Sequence, residues 1–324
     1  MIQRSVLRVR ALLGASLVAL LAGQALASFP IGQTVGAGGR DQVFRMTDPA
    51  GGSGTANLFG VSINGPNVGA ATEVKLCFVT ANHVASGGVA NIDYRGLGHA
   101  GTFNAIPVTQ TVQQLGGEDI AFVGLKFSKA QIGAANFATL AGLTGLTLAA
   151  DPGGNHTFQE WGYGISAVPD AALFPGYQFA YHSNVAGEQY GTLRTFTNQL
   201  TGNVARNTTG YNVRDLKWIV GGPLVLAQLG SGAPGDSGAG LQDLTGPANT
   251  IQGILTGGQD DRFTDKLGNN YIAWKNAFEG YGLGFTAQIV ADLNDKCAVY
   301  VPGPGMLGLG LAGATVLAAR RRRS

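Results

Sequence analysis

Short apolar runs closed by Gly, Asn or Pro recur along most of this chain. Asn57–Ile63, Val74–Thr80, Phe103–Val108 and Ile120–Phe127 are rich in Val, Ile and Phe and predict strands. A second set follows at Thr157–Gly162, Tyr177–His182, Leu193–Leu200, Pro223–Leu229, Gly238–Gln242, Thr250–Thr256 and Tyr271–Trp274. A helical period emerges only at Thr286–Asn294, where Thr286 can cap the helix and Ile289, Val290 and Leu293 share one face. Many short strands and one late helix predict packed barrels, and no internal repeat is visible. The pattern changes at both ends. Three arginines precede the apolar run Ala11–Ala22, which closes on Ala25-Leu26-Ala27 before Ser28. Val299–Ala319 then carries no charge and is followed by four arginines, Arg320–Arg323.

Composition agrees with a turn-rich β protein. Of 324 residues 52 are Gly, without a collagen period, and only 12% are charged. That excludes a disordered tail, a coiled coil or a helical repeat. The net charge of +2 is unevenly spread. Seven of the 21 basic residues lie at the two ends, which leaves 14 basic against 19 acidic side chains, a net of −5 for the interior. Nucleic acid is therefore not expected as a partner.

The N-terminal pattern is that of a secretory signal over residues 1–27, with small residues where signal peptidase cuts. The uncharged C-terminal segment is long enough to span a bilayer as a transmembrane helix, with its arginines on the cytoplasmic side.

Three interior segments carry candidate chemistry. Val79-Thr80-Ala81-Asn82-His83-Val84-Ala85 ends a strand in a histidine. Glu118-Asp119-Ile120-Ala121-Phe122 sets an aspartate before an apolar strand. Gly232-Ala233-Pro234-Gly235-Asp236-Ser237-Gly238-Ala239-Gly240 wraps a Gly-rich turn around a serine. Each has a plain structural reading alone. Together, in the order His, Asp, Ser, they supply a base, an orienting carboxylate and a nucleophile.

These segments resemble the trypsin-like (chymotrypsin-fold) serine proteases, over most of residues 50–296. Gly253-Ile254-Leu255-Thr256-Gly257-Gly258 is similar to that family's cleft-lining strand, and Thr256 stands 19 residues after Ser237, a spacing the family shares. The resemblance implies two six-stranded antiparallel β-barrels with a C-terminal α-helix. Residues 28–136 would form the N-terminal barrel with His83 and Asp119. Residues 137–298 would form the C-terminal barrel with Ser237 and the closing helix. It implies catalysis by His83, Asp119 and Ser237, and an oxyanion hole from the backbone N–H groups of Gly235 and Ser237. The Thr256 hydroxyl would be aimed at the triad carboxylate. Ser231 would lie at the base of the primary pocket and Gly258 at its wall. With no carboxylate at the base, an uncharged side chain on the acyl side of the scissile bond is expected.

Other readings fail on residue order. An α/β-hydrolase needs its histidine after the nucleophile, and all four histidines precede Ser237. An aspartic protease needs a second Asp-Thr/Ser-Gly, and a dinucleotide fingerprint needs a helix where Pro234 stands. No His-Glu-x-x-His and no close Cys pair occurs, so neither a metal nor another cofactor is expected.

Some family features are missing. No Ile-Val-Gly-Gly start follows residue 27, so Asp236 needs a partner other than a new N-terminal ammonium. Ser166–Asn212 is long for a barrel connection and is expected to hold an insertion near the cleft. In the family fold the C-terminal helix packs back on the first barrel, which implies a Cys77–Cys297 disulfide, with two buried thiols as the alternative. The acidic stretch Gln259–Asn270 reads as a solvated hairpin in preference to a Ca²⁺ loop, because no ligand spacing repeats.

The tail, residues 299–324, resembles a PEP-CTERM sorting signal, with Pro302-Gly303-Pro304, a short apolar helix and an Arg cluster. Gly303 stands where that signal has Glu. The expected partners are thus a protein or peptide substrate, signal peptidase, an exosortase-type tail-processing enzyme, and the membrane through the tail. The expected location is the cell envelope of a Gram-negative bacterium, or its exterior. The competing function class is a catalytically silent surface adhesin or matrix protein on a protease fold.

Overall fold

Period-two alternation in the apolar runs becomes β-structure, while Gly and Asn punctuate the turns. The computed structural model describes residues 33–34, 41–94, 103–164, 179–182, 193–208, 211–221, 236–258, 261–264, 270–274 and 277–301. After a two-residue strand β1 (Gln33–Thr34), seven strands build an antiparallel N-terminal sheet. They are β2 (Val43–Thr47), β3 (Ser53–Ile63), β4 (Glu73–Thr80), β5 (Asn91–Tyr94), β6 (Phe103–Ala105), β7 (Thr109–Gln114) and β8 (Ala121–Ser128). Their order is β6-β5-β2-β3-β4-β8-β7. A single helical turn, α1 (Asn82–Ala85), follows β4.

A second helix, α2 (Lys129–Ala141), packs against this sheet. The hydrophobic pattern missed it because its buried residues Ile132, Phe137 and Leu140 do not keep a helical spacing. Gly133 at φ 81° interrupts it, and the two pieces are set at different phases. Ser128 caps it by accepting from the Gln131 amide at 3.2 Å. A domain boundary at 136/137 falls inside this helix, so the N-terminal unit extends to at least Ala141.

The C-terminal unit contains β9 (Thr147–Leu148), β10 (Thr157–Gly162), β11 (Phe179–His182), β12 (Arg194–Thr208), β13 (Tyr211–Gly221), β14 (Gly240–Asp243), β15 (Thr250–Ile251), β16 (Gly253–Gly258), β17 (Asp261–Thr264), β18 (Asn270–Trp274) and β19 (Ala277–Gly284). Six of them close on themselves in the order β12-β10-β14-β16-β19-β13, with β13 returning to β12. Closure removes the sheet edges and fills the interior with side chains. Phe158 and Trp218 meet there edge to face, 4.9 Å between ring centroids. β1 pairs with the start of β12, and β11, β18 and β17 form a separate three-stranded sheet. The chain is thus mostly β, two largely antiparallel units closed by a C-terminal helix as the resemblance implies, with seven strands in the N-terminal sheet where six were expected and one short parallel pair, β9 with β15.

Part of the stretch expected as an insertion is barrel wall. Residues 194–208 are β12 of the ring, paired with both β10 and β13. Sequence periodicity followed only its first part, because Thr201 to Thr208 hold just two apolar residues, Val204 and Ala205, side by side and so without alternation. The Pro223–Leu229 strand, the signal segment and the tail from 302 onward lie outside the described residues. Among the described residues no helix is long and apolar enough to cross a membrane. The acidic stretch 259–270 includes strand β17, which pairs with β18 as an antiparallel hairpin.

The late helix α3 (Ala287–Tyr300) is longer than its sequence pattern. Thr286 caps it, accepting from the Ile289 amide at 3.4 Å. Ile289, Leu293 and Cys297 recur every four residues on its buried face. This face joins the core of the N-terminal sheet, and Cys297 is bridged to Cys77 of β4 across 220 residues of sequence. Gly60 permits the bridge, since a Cβ there would stand 2.4 Å from the Cys297 sulfur. The helix extends through Tyr300, whose ring meets Phe122 edge to face. Val301 is buried as well, so the closing helix ends later than the expected limit of 298.

Candidate active site

His83 is presented where β4 stops. Ala81, at φ −68° and ψ 140°, is still extended, and α1 begins at the next residue. Val84 and Ala85 turn into the core, which leaves the neighbouring imidazole half exposed to solvent at 50%. Asp119 comes from the turn between β7 and β8. That turn needs two left-handed residues, and Gly116 (φ 57°) and Gly117 (φ 76°) provide them. Leu115 and Ile120 are buried on either side, and the Leu115 amide donates to the Ile120 carbonyl at 2.9 Å.

The two side chains meet in a two-pronged contact. The His83 backbone amide donates to Asp119 Oδ1 at 2.9 Å, and Nδ1 lies 2.8 Å from Oδ2. A carboxylate only accepts, so this contact assigns the ring proton to Nδ1 and leaves Nε2 as the acceptor. That is the tautomer a general base requires.

Ser237 sits in a turn pinned to both units. The Ala239 amide donates to the Asp236 carbonyl at 2.7 Å, which closes the turn. The Gly238 amide donates to the Leu255 carbonyl of β16 at 2.7 Å. The Ser237 carbonyl accepts from the Thr55 amide of β3 at 2.8 Å, and the Gly238 carbonyl accepts from Asn57 Nδ2 at 2.7 Å. Gly238 has φ 88°, and a Cβ on it would lie 2.2 Å from both the Thr55 carbonyl oxygen and Thr80 Oγ1. The serine turn therefore abuts the end of β4, two residues before the His83 helix turn begins its own course. Gly54 lies between Val84 and the Ser237 carbonyl, with room for no side chain.

Asp236 is buried and has a partner within the chain. The Gly164 amide donates to its Oδ1 at 2.5 Å. Gly162 and Gly164 are both packed against its carboxylate. Close by is Glu160 of β10, 1% exposed, whose two carboxyl oxygens have no hydrogen-bond partner among the described residues. Burial first, and the charge of Asp236 second, push the Glu160 carboxyl well above the usual carboxylate range. Glu160 was not singled out by its sequence. Its one signal was parity, since β10 alternates and Glu160 shares the inward face with Phe158 and Gly162.

The remaining expected positions divide. Thr256 is the extra residue of a bulge between β16 and β19, and its hydroxyl donates to the Tyr281 carbonyl at 3.4 Å. Among the described residues both hydrogen bonds of Asp119 are to His83, so Thr256 is directed to a main-chain carbonyl and not to that carboxylate. The bulge re-aims its side chain. Gly258 ends β16 opposite Gly280 and is exposed. Ser231 and Gly235 lie outside the described residues. Among the described residues no group of three or more His, Cys, Asp or Glu is arranged to hold a metal ion.

No protein-family model and no curated protein matches the sequence. Solved structures similar in fold include the following two. One is a thermostable serine protease, AL20, from an extremophilic microorganism. It is 13% identical, with 73% of this chain and 91% of that chain covered, at a TM-score of 0.37. The other is the protease Anisep from Arthrobacter nicotinovorans. It is 12% identical, with 83% of this chain and 99% of that chain covered, at a TM-score of 0.41. The fold itself rests on the strand order and barrel closure described above.

Proposed function

We propose that this chain is an exported serine endopeptidase in which Ser237, His83 and Asp119 form the catalytic triad. The observation that carries the reading is the double contact of Asp119 with His83, which orients the ring and selects its tautomer. Ser237 Oγ attacks the scissile carbonyl carbon while His83 Nε2 takes the hydroxyl proton. As the C–N bond breaks, that proton passes to the leaving amine and an acyl-enzyme remains. Water, deprotonated by the same nitrogen, then releases the acid and restores the serine hydroxyl. Asp119 stabilises the imidazolium formed in each half. The amides of Gly235 and Ser237 receive the developing oxyanion, and one such donor is typically worth ~10²–10³ in rate.

Ser231 and Gly258 shape a pocket for an uncharged side chain. Residues 1–27 direct export and are removed by signal peptidase. The PEP-CTERM-like tail retains the protein at the envelope until an exosortase-type enzyme processes it. The test is fluorophosphonate labelling of the purified protein. Labelling of the native chain that is lost in Ser237→Ala supports the reading. Absence of labelling, or its survival in Ser237→Ala, overturns it in favour of a silent binding scaffold. Cleavage of a peptide library after Arg, Lys or Glu would overturn the pocket assignment alone.

A further inference from the structure

Beyond the triad itself, the residue just before Asp119 is held from the other unit of the molecule. Arg206, near the end of β12, donates to both oxygens of Glu118, from Nη1 at 3.2 Å and from Nη2 at 2.8 Å. The same guanidinium donates to Asp215 of β13, from Nε at 2.7 Å and from Nη2 at 3.0 Å. A planar fork matches two carboxylates in this way only when all three groups are held in place.

The parts are held in place. β10 pairs with β12 only as far as Gln199, and β19 pairs with β13 only from Arg214 onward. The hairpin tip between them therefore overhangs the ring. It is fastened to α3, where Tyr211 donates to Asp292 at 2.7 Å and Thr286 Oγ1 donates to the Asn212 carbonyl at 2.9 Å. The Tyr211 ring lies directly on Gly116, where a Cβ would stand 2.2 Å from Cγ. The overhang thus lands on the turn that carries Asp119.

Glu118 is only 8% exposed, and its backbone is also occupied. Its amide donates to the Leu115 carbonyl at 2.9 Å, and its carbonyl accepts from Gln114 Nε2 at 2.8 Å. Side chain and main chain are both tied down one residue before the carboxylate that must meet His83.

We infer that Arg206 is a positioning residue: by clamping Glu118 to Asp215 on the hairpin of the C-terminal barrel, it fixes the turn that aims Asp119 at His83. This rests on the proposed role of Asp119 and His83, and it gives the C-terminal barrel a hand in orienting the base as well as in carrying the nucleophile. Small displacements of such a group cost roughly tenfold to a hundredfold in rate.

The test compares Arg206→Gln, Glu118→Gln and Arg206→Lys. The first readout is the low-field proton resonance of the His83 Nδ1–H···Asp119 hydrogen bond, recorded in the Ser237→Ala background, where no turnover is needed. The second is kcat and KM on a peptide ester in the otherwise native protein. The first two variants remove opposite charges. Positioning moves the resonance upfield in both, and lowers kcat roughly tenfold in both with KM within about twofold. Arg206→Lys, which keeps the charge and loses the fork, lies between them and native, and it carries the test if Arg206→Gln does not fold.

Opposite movements in the two neutralised variants would show a field effect and overturn the inference. So would a lowered melting temperature with the resonance and kcat unchanged. A native protein without turnover would overturn the proposed function, while the resonance would still decide the clamp.

Discussion

The two halves of the site are held by different physics. His83 and Asp119 come from one sheet, 36 positions apart, and are joined by directed hydrogen bonds in a setting open to water. The Asp236–Ser237–Gly238 turn lies where the two units meet and, besides its hydrogen bonds to Thr55, Asn57 and Leu255, is held by exclusion. Gly54, Gly162 and Gly164 surround it and Gly238 lies within it, and at each of the four a Cβ would stand under 3 Å from a neighbouring atom. Beneath it lies the buried carboxyl of Glu160, with the charge of Asp236 close by. The first half therefore fails when a hydrogen bond is lost. The second fails when volume or charge is added.

The sharpest break of this comparison is Asp119→Asn. Activity should fall by about 10⁴, as removal of an orienting carboxylate does in such triads, while the melting temperature stays close to native. A stability loss of several degrees together with a small kinetic effect would reverse the contrast. Next in size is removal of the Cys77–Cys297 bridge, which closes the longest loop in the chain. Cys77→Ala with Cys297→Ala should cost about 2–5 kcal/mol in denaturant unfolding, and a neutral result would show that α3 is held by its apolar face alone.

Gly238→Ala tests the second half directly. It combines a left-handed φ with a steric clash, and should destabilise by about 1–3 kcal/mol and abolish fluorophosphonate labelling. Normal labelling would mean that the turn can shift and that exclusion does not hold it.

Glu160→Gln is smaller and has a signature in pH. The folded protein keeps the Glu160 proton where the unfolded chain has lost it. Its contribution is therefore most favourable below the ordinary Glu value of about 4.3, and it declines as pH rises from there through the raised folded value. The Gln variant lacks that decline, so its melting temperature relative to native should increase with pH by a few degrees. A constant difference between pH 4 and 8 would place Glu160 outside this account.

The smallest effect belongs to Thr256→Val. A long hydrogen bond to the Tyr281 carbonyl predicts a change in kcat/KM below about threefold. A hundredfold loss would return the hydroxyl to the Asp119 carboxylate.

Sequence alone determined what local chemistry can encode. Alternation placed β4, β8 and β10 within a residue or so, and Thr157–Gly162 matched at both ends. The Thr286 cap and the four-residue spacing after Ile289 located α3. The His, Asp and Ser segments stood out because each is a short string next to a strand or turn signal.

Tertiary structure decided the rest, because period two reveals which face a side chain occupies but never what meets it there. Glu160 read as one more polar residue until closure of the ring buried it beside Asp236. Arg206 lies 88 positions from Glu118, and no local pattern joins them. The bulge that turns Thr256 toward Tyr281 depends on the register of β19, a strand with three glycines in eight residues and few apolar side chains to mark its faces. Only the packed chain could set these partners, since each contact was chosen by the closure of a barrel or the seam between two units.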